Sequence, residues 1–178
     1  MDEEALLGRV LALGAPHPFA ASIPPELAPW LLPVAWSRER LWALTGLPRA
    51  SLDVDALRWH HELPWWRRDG CRDDWFHVRP ADVARHPDAH GEHVRRTEAA
   101  DLARPLHVMW RRDRWLILDG IHRLLKADLR GVRTVEADIL RASDVRRILA
   151  PGLTPGRKPP PAPRPRAGRP PPSAGSRR

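Results

Sequence analysis

The sequence is poor in the residues that build disulfides and membrane-spanning segments. Its 178 residues include one cysteine, Cys71, and no tyrosine. A single cysteine excludes an intramolecular disulfide. No apolar run approaches the roughly 20 residues that a helix needs to cross a bilayer, and the acidic first residues do not have the layout of a signal peptide. We therefore expect a soluble, cytoplasmic protein with no membrane partner.

Tryptophan, arginine and proline are abundant instead. Seven of the nine tryptophans precede residue 76, so the N-terminal half must bury or display many indole rings. The formal net charge is +8, and residues 151–178 hold six arginines, one lysine and no acid. Ten prolines in the same segment predict a disordered, basic tail. This tail either binds nucleic acid or an acidic partner, or is an inert solvated segment.

The most informative stretch is 115–126. Its first four residues are bulky and apolar and predict a strand, and Asp119-Gly120 predicts a tight turn. A helix over 121–130 follows, because apolar residues recur there at helical spacing: Ile121, Leu124, Leu125 and Leu129. Asp119 is placed to act as the N-cap of this helix, and Gly131 can end it.

This arrangement favours an anion at the turn. The first amides of a helix have no intrahelical partner, and the helix dipole places partial positive charge there. Gly120 lets a ligand approach the backbone, Arg123 has the planar fork that suits phosphate oxygens, and His122 can add a donor. The alternative is a plain turn whose arginine and histidine lie in solvent or pair with neighbouring acids. The motif alone does not decide between the two.

The pattern along the rest of the chain predicts an α/β (α+β) fold, with a small mixed sheet and packed helices. Strands are predicted at 74–78, 105–110, 114–118 and 133–139. Helices are predicted at 2–13, after Ser37, after Asp53, at 81–85, at 91–102 with Val94, Ala99 and Leu102 inward, at 121–130, and from Ser143 to Leu149. We divide the chain into a tryptophan-rich helical N-terminal extension (1–71), a domain (72–150) and the tail (151–178).

Two further groups of residues have alternative interpretations. Trp65 and Trp66, followed by two arginines, either stack on nucleic acid bases or pack the N-terminal helices onto the sheet, and we favour packing. Histidines cluster in two short segments, one with His60 and His61 and the other with His86, His90 and His93. Neither segment supplies an evident third ligand for a metal ion, so we expect surface histidines and no metal site.

Two short motifs carry a family resemblance. The segment Asp119-Gly-Ile-His-Arg123 resembles the signature of the ParB/sulfiredoxin-like superfamily. There, an apolar strand runs into a G-x-H-R or G-E-R-R turn that opens a helix and holds nucleotide phosphates. The segment Arg104-Pro-Leu-His-Val108 is similar to the first box of that family, and the resemblance covers roughly residues 72 to 149. It implies a ParB/sulfiredoxin-like fold.

Ile121 departs from the signature. Sulfiredoxins have their catalytic cysteine there, so this chain is not expected to reduce a sulfinic peroxiredoxin. ParB proteins have a glutamate there, and its loss argues against metal-assisted nucleotide hydrolysis. The resemblance is closest to the D-G-x-H-R version of free-serine kinases. Those enzymes need a further carboxylate as base, for which the candidates are Glu92, Glu98 and Asp101.

We therefore expect the turn to bind a phosphate-bearing ligand, above all a nucleotide such as ATP, ADP or CTP, with or without magnesium. The expected binding residues are Gly120, Ile121, His122, Arg123, Lys126 and Arg104. His122 and Asp119 are the expected catalytic residues: His122 donates or shuttles a proton, and Asp119 caps the helix or reaches a magnesium ion. A phosphotransferase and a nucleotide hydrolase both remain open. The alternative is a non-enzymatic, DNA-associated ParB-like protein that uses an arginine-rich surface and the tail.

Overall fold

A four-stranded mixed sheet forms the centre of the protein. The computed structural model describes residues 3–71 and 74–150, and the tail expected to be disordered lies outside them. The strands are β1 (Arg49–Asp53), β2 (Leu106–Arg111), β3 (Arg114–Asp119) and β4 (Thr134–Leu140), in the order β1-β4-β2-β3. The central pair β2 and β4 is parallel, and the two outer pairs are antiparallel. A mixed α/β architecture is therefore confirmed.

Helices pack on both faces of this sheet. The α-helices in the described residues are α1 (Glu3–Leu11), α2 (Arg38–Trp42), α3 (Val54–Leu57), α4 (Pro80–Arg85), α5 (Gly91–Glu98), α6 (Ile121–Leu129) and α7 (Ala142–Ile148). Short 3-10 helices cover Ala20–Ser22, Arg58–Glu62 and Pro87–Ala89. No helix in 3–71 or 74–150 is long and apolar enough to cross a membrane.

The core divides into two layers because neighbouring strand residues point to opposite faces. On β2, Met109 joins the layer under α1 and α7, whereas Val108 joins the layer under α3 and α6. On β3, Leu116 and Ile117 divide in the same way. Apolar residues of α1 and α7 thus cover one face of the sheet, and apolar residues of α3 and α6 cover the other.

The β2–β3 hairpin and α6 follow the sequence pattern closely. Arg112 and Asp113 have φ values of +49° and +59°, as the type I′ turn of a short hairpin requires. On α6, Leu124 and Leu125 are buried as predicted, but Leu129 is 62% exposed. The helix ends at Leu129, before the apolar stripe would reach the core again.

One predicted strand is wrong, and one strand was not predicted. Residues 74–78 form only an isolated bridge, between Val78 and Trp66, because Phe76 has a φ of +67° and interrupts the extended chain. β1 lies instead within the segment that we expected to be a helical extension. Its sequence has little β-propensity, and pairing with β4, in which Leu52 lies opposite Val135, holds it extended.

Two helices also differ from expectation. α5 ends at Glu98, and its buried residues are His93 and Thr97. Val94 and Leu102 are partly buried and pack against the core as predicted, whereas Ala99 is exposed. α7 begins one residue before Ser143, which is therefore not its cap. At that helix start, the backbone N–H of Arg141 donates to Asp144 Oδ2 at 3.0 Å.

His60 joins the N-terminal half to the edge strand β3. The backbone N–H of Ile117 donates to His60 Nε2 at 2.9 Å, and His60 Nδ1 lies 2.8 Å from the Leu57 carbonyl oxygen. Trp65 Nε1 donates to the His60 carbonyl oxygen at 2.7 Å. Burial lowers the pKa of His60 to about 3, so the ring is neutral. The expectation of a surface histidine is wrong here, because His60 and its neighbour His61 are buried.

The first prediction concerns the fragment 72–150. It lacks β1 and the buried Trp66 and His60, so we expect it to show no cooperative thermal transition in circular dichroism. The fragment 1–150 retains every strand and should unfold cooperatively. A sharp transition in the shorter fragment would mean that its three strands suffice for a stable core.

Candidate functional site

Two cavities meet at the turn between β3 and α6. The main cleft, of about 900 Å³, and the side pocket, of about 620 Å³, are both lined by Asp119, Gly120 and His122. Side chains that line the main cleft include those of Arg38, Trp36, Trp65, Trp66, Arg67, Trp75, Glu92, Arg95 and Arg96. The side pocket is lined by Trp42, Asp101, Arg104, His107 and Arg123, among others. The predicted turn therefore lies at the edge of two concave surfaces.

Gly120, not Asp119, is the N-cap of α6. Its φ is +117°, and no side chain caps the helix, so the prediction that Asp119 is the cap is wrong. A Cβ on Gly120 would lie 2.5 Å from Leu106 Cδ2 and 2.9 Å from Arg123 Nη2. The residue must therefore be glycine for reasons of backbone conformation and of packing. The first amides of α6 are left without an intrahelical or side-chain acceptor.

Asp119 holds the turn together through an ion pair. Arg123 Nη2 donates to Asp119 Oδ2 at 2.6 Å, and Arg123 Nη1 donates to the Pro105 carbonyl oxygen at 2.6 Å. Trp42 Nε1 donates to the same carboxylate oxygen at 3.2 Å. Burial raises the pKa of Asp119, but neighbouring His107, Arg123 and Trp42 outweigh burial and lower the pKa to about 2. The pair is thus charged, and two donors of Arg123 are used within the protein.

Of the other two predicted cations, Arg104 lines the side pocket and Lys126 lines neither cavity. Lys126 Nζ donates to the carbonyl oxygens of Glu98 and Ala100, at 2.7 and 2.5 Å. It holds the end of α5 onto α6 and lines neither cavity. Arg104 is exposed, lines the side pocket and lies 3.8 Å from Asp101 Oδ2. The site residues predicted from sequence are therefore brought together, except for Lys126.

His122 belongs to a stacked group that the sequence did not reveal. Its ring stacks on Trp66, with the centroids 4.0 Å apart and 9° between the planes. His122 Nε2 lies 3.2 Å from His93 Nδ1, and His93 Nε2 lies 2.8 Å from the Arg67 carbonyl oxygen and 3.4 Å from Asp69 Oδ1. We expected a surface histidine at 93, which is wrong, since His93 is 1% exposed. The sequence signal for burial was that His93 and Thr97 are four residues apart, and so lie on the same face of a helix, and that neither is an acid, a lysine or an arginine.

Burial strongly affects the protonation of these rings. It is the main cause that lowers the pKa of His122 to about 3, and the positive charge of Arg96 acts in the same direction. Burial also lowers the pKa of His93. Both imidazoles are consequently neutral at physiological pH, although they lie beside Asp119 and Asp69.

Of the three carboxylates considered as bases, only Glu92 lines the main cleft. Arg67 Nη2 donates to Glu92 Oε1 at 2.6 Å, and this hydrogen bond lowers the pKa of Glu92. Asp101 lines the side pocket, and Glu98 lines neither cavity. The structure thus separates the candidates by position.

The main cleft is rich in positive charge. Arg38 lies over the Trp42 ring at 5.9 Å, and Arg96 Nη1 is 4.0 Å from Glu92 Oε1. Within the described part of the chain, Arg38 and Arg95 make no ion pair. Guanidinium groups therefore outnumber carboxylates around the N-terminus of α6, which favours a negatively charged ligand.

The described residues contain no group of three histidine, cysteine or acidic side chains that could hold a metal ion. Comparisons with protein-family models, with curated proteins and with solved structures found no match.

The second prediction is that Gly120→Ala destabilises the turn. The new Cβ meets Leu106 and Arg123 at a φ that L-residues avoid, so we expect unfolding free energy to fall by about 2–5 kcal/mol, measured by denaturant unfolding. Gly46→Ala is the matched control, because Gly46 also has a positive φ but no atom within 4 Å of its Cβ. It should cost about 1 kcal/mol, and an equal loss in both variants would contradict a packing role for Gly120.

The third prediction concerns the pH dependence of stability. Because the folded-state pKa of His122 lies near 3, the unfolded chain gains a proton below about pH 6.5 and the folded protein does not. Stability should therefore fall with acidification from pH 6.5 toward 3, and His122 contributes up to about 1.4 kcal/mol per pH unit.

This contribution can be isolated by substitution. In His122→Asn, the slope of unfolding free energy against pH should be shallower than in the native protein between about pH 6 and 4. His86→Gln changes an exposed histidine and should leave the slope as it is. An unchanged slope in His122→Asn would show that His122 titrates alike in the folded and unfolded chain.

Proposed function

We propose that the main cleft binds a phosphate-bearing ligand, above all a nucleotide such as ATP, ADP or CTP, at the N-terminus of α6. The observation that carries this proposal is a helix start with no side-chain cap, located in the main cleft among several guanidinium groups. Helix N-termini of this kind attract phosphate through their amides and their dipole.

The size and lining of the cleft support a ligand with both an anionic and an aromatic part. Its volume of about 900 Å³ lies in the upper range of small-molecule sites. Trp75 lines it and packs against Phe19, with the ring centroids 5.5 Å apart. Indole faces of this kind can stack on a nucleobase, while phosphates lie nearer α6.

The cations of the cleft favour phosphate over a carboxylate. Arg38, Arg95 and Arg96 are exposed and line the cleft together with the first residues of α6. A phosphate has enough acceptor oxygens to bond helix amides and guanidinium groups at once. Arg123 would act indirectly in this arrangement, because its ion pair with Asp119 shapes the turn.

The resemblance to the ParB/sulfiredoxin-like superfamily is consistent with this proposal. In the region of resemblance, two strands, a helix and a strand follow one another around the D-G-x-H-R turn. A strand that runs into the turn and a helix that opens after it are what the resemblance implies. We propose that the chain belongs to this superfamily and that its nucleotide site corresponds to the site of that family.

Magnesium and phosphoryl transfer can be accommodated at this turn. Magnesium is usually held by one or two carboxylates together with substrate phosphates. Asp119 is ionised, and one of its oxygens accepts from Arg123 and Trp42, so its other oxygen is the protein ligand available to the ion. A transfer reaction in the main cleft would use Glu92 as base, because Glu92 is the one of the three candidate carboxylates that lines this cleft.

The fourth prediction tests nucleotide binding. We would measure thermal shifts of the full chain with ATP, ADP, CTP and GTP, each with and without magnesium. Ligand at 100 times its dissociation constant stabilises by about 2.7 kcal/mol, which should raise the melting temperature by roughly 5–11 °C. Arg96→Ala should weaken binding about 10-fold or more through the loss of a charged hydrogen bond.

Arg130→Ala is the matched control, since Arg130 is exposed at the far end of α6. It should bind the same nucleotide as the native protein does. No shift with any nucleotide, in a well-folded protein, would contradict the proposal. If duplex DNA then bound in a salt-dependent manner that is lost on deletion of 151–178, the DNA-associated alternative would replace it.

A further inference from the structure

We propose that His122 acts in this site as a fixed hydrogen-bond acceptor through Nδ1, that His93 is the residue that fixes it, and that the acceptor receives a ribose hydroxyl of the bound nucleotide. This inference deepens the proposed function and rests on it. It reverses the direction expected from sequence, in which His122 donates to the ligand.

The direction follows from a backbone carbonyl at the end of the chain of contacts. The Arg67 carbonyl oxygen, 2.8 Å from His93 Nε2, can only accept, so His93 Nε2 carries the hydrogen. In a neutral ring, His93 Nδ1 then has a lone pair. His122 Nε2, 3.2 Å away, must therefore donate, and the lone pair of His122 is on Nδ1.

The surroundings hold both rings in this state. Trp66 stacks on both imidazoles, with centroid distances of 4.7 Å to His93 and 4.0 Å to His122. Asp69 Oδ1 lies 3.4 Å from His93 Nε2. Like the Arg67 carbonyl oxygen, this carboxylate accepts, so both groups favour a hydrogen on His93 Nε2. The ring planes and the tautomers are consequently fixed before a ligand arrives.

His122 Nδ1 has no hydrogen-bond partner in the described part of the chain and is not fully buried. Within the described residues, no hydrogen bond reaches His122 Nδ1, and this atom is not among the buried polar atoms without a partner. His122 also lines both cavities at the turn. Its Nδ1 is therefore an accessible acceptor beside the first amides of α6.

As an acceptor, His122 Nδ1 can bind only those groups of a ligand that donate a hydrogen bond. An ionised phosphate has only acceptor oxygens, so it gains nothing from Nδ1 and should lie against the α6 amides and guanidinium groups instead. The group that meets Nδ1 must bring its own hydrogen. In a nucleotide, the ribose hydroxyls are the donors nearest to the phosphates.

The tautomers can be tested without any ligand. Long-range ¹H–¹⁵N correlation spectra of the full, labelled chain distinguish a ring nitrogen that carries hydrogen from one that does not. We expect both His93 and His122 to carry it on Nε2 at about pH 8, and the His122 ring to show no change between about pH 5 and 8. Hydrogen on Nδ1 of either ring, or a protonated His122 in that range, would overturn the assignment.

The positioning role of His93 is tested by a matched pair of substitutions. His93→Asn places an amide oxygen near the position of Nδ1 and keeps an acceptor for His122. His93→Gln places its amide near Nε2 and leaves His122 without that acceptor. The His122 tautomer signature should persist in His93→Asn and become mixed in His93→Gln; the same signature in both would overturn the role.

The hydroxyl is tested with ATP and 2′,3′-dideoxy-ATP as probes. Loss of one hydrogen bond should weaken binding of the dideoxy probe about 3–10-fold. His122→Asn, which keeps an acceptor near Nδ1, should retain this preference, and His122→Gln should lose it while still binding ATP. Equal binding of both probes by the native protein would overturn the ribose contact alone. Failure of ATP, ADP and CTP to bind would overturn the proposed function and the ribose contact with it, and the spectra would still decide the tautomers.

Discussion

The ion pair between Asp119 and Arg123 is the interaction on which the site depends. It connects the end of β3 to the first turn of α6, and through the Pro105 carbonyl oxygen it also reaches the chain that enters β2. Because Gly120 adopts a φ of +117° between them, the chain can turn tightly enough for the pair to form. The first amides of α6 thereby remain uncapped at the edge of two cavities. An arginine that sequence patterns assign to the ligand is thus first a part of the scaffold.

Charge and neutrality are arranged in separate zones around this turn. Arginines supply positive charge along the main cleft, whereas burial lowers the pKa of His122 and of His93. A buried charge is costly unless it is paired, and Asp119 meets that condition through Arg123 and Trp42. The hydrogen-bonding groups that are left without a partner among the described residues, the first amides of α6 and His122 Nδ1, belong to residues that line the cavities.

The sequence was sufficient for features that depend on local chemistry. The β2–β3 hairpin, the turn at Asp119-Gly120 and the start of α6 arise from patterns only a few residues long, and all three could be predicted. β1 could not be, since its extended form depends on pairing with β4, more than 80 residues away. The stacked group of Trp66, His93 and His122 likewise depends on three segments meeting in space. A sequence pattern within one segment does not predict contacts between distant segments. The stacked group could therefore not be predicted from the sequence.

The contact of His60 with β3 has a consequence for association between chains. β3 is an edge strand, and unpaired amides on such strands can bind the edges of other molecules. The neutral imidazole occupies the amide of Ile117, and it can do so only while Nε2 keeps its lone pair. In strong acid, a protonated ring would oppose a donor with another donor and release that edge. The buried His60 therefore covers this amide of the edge strand only in its neutral form.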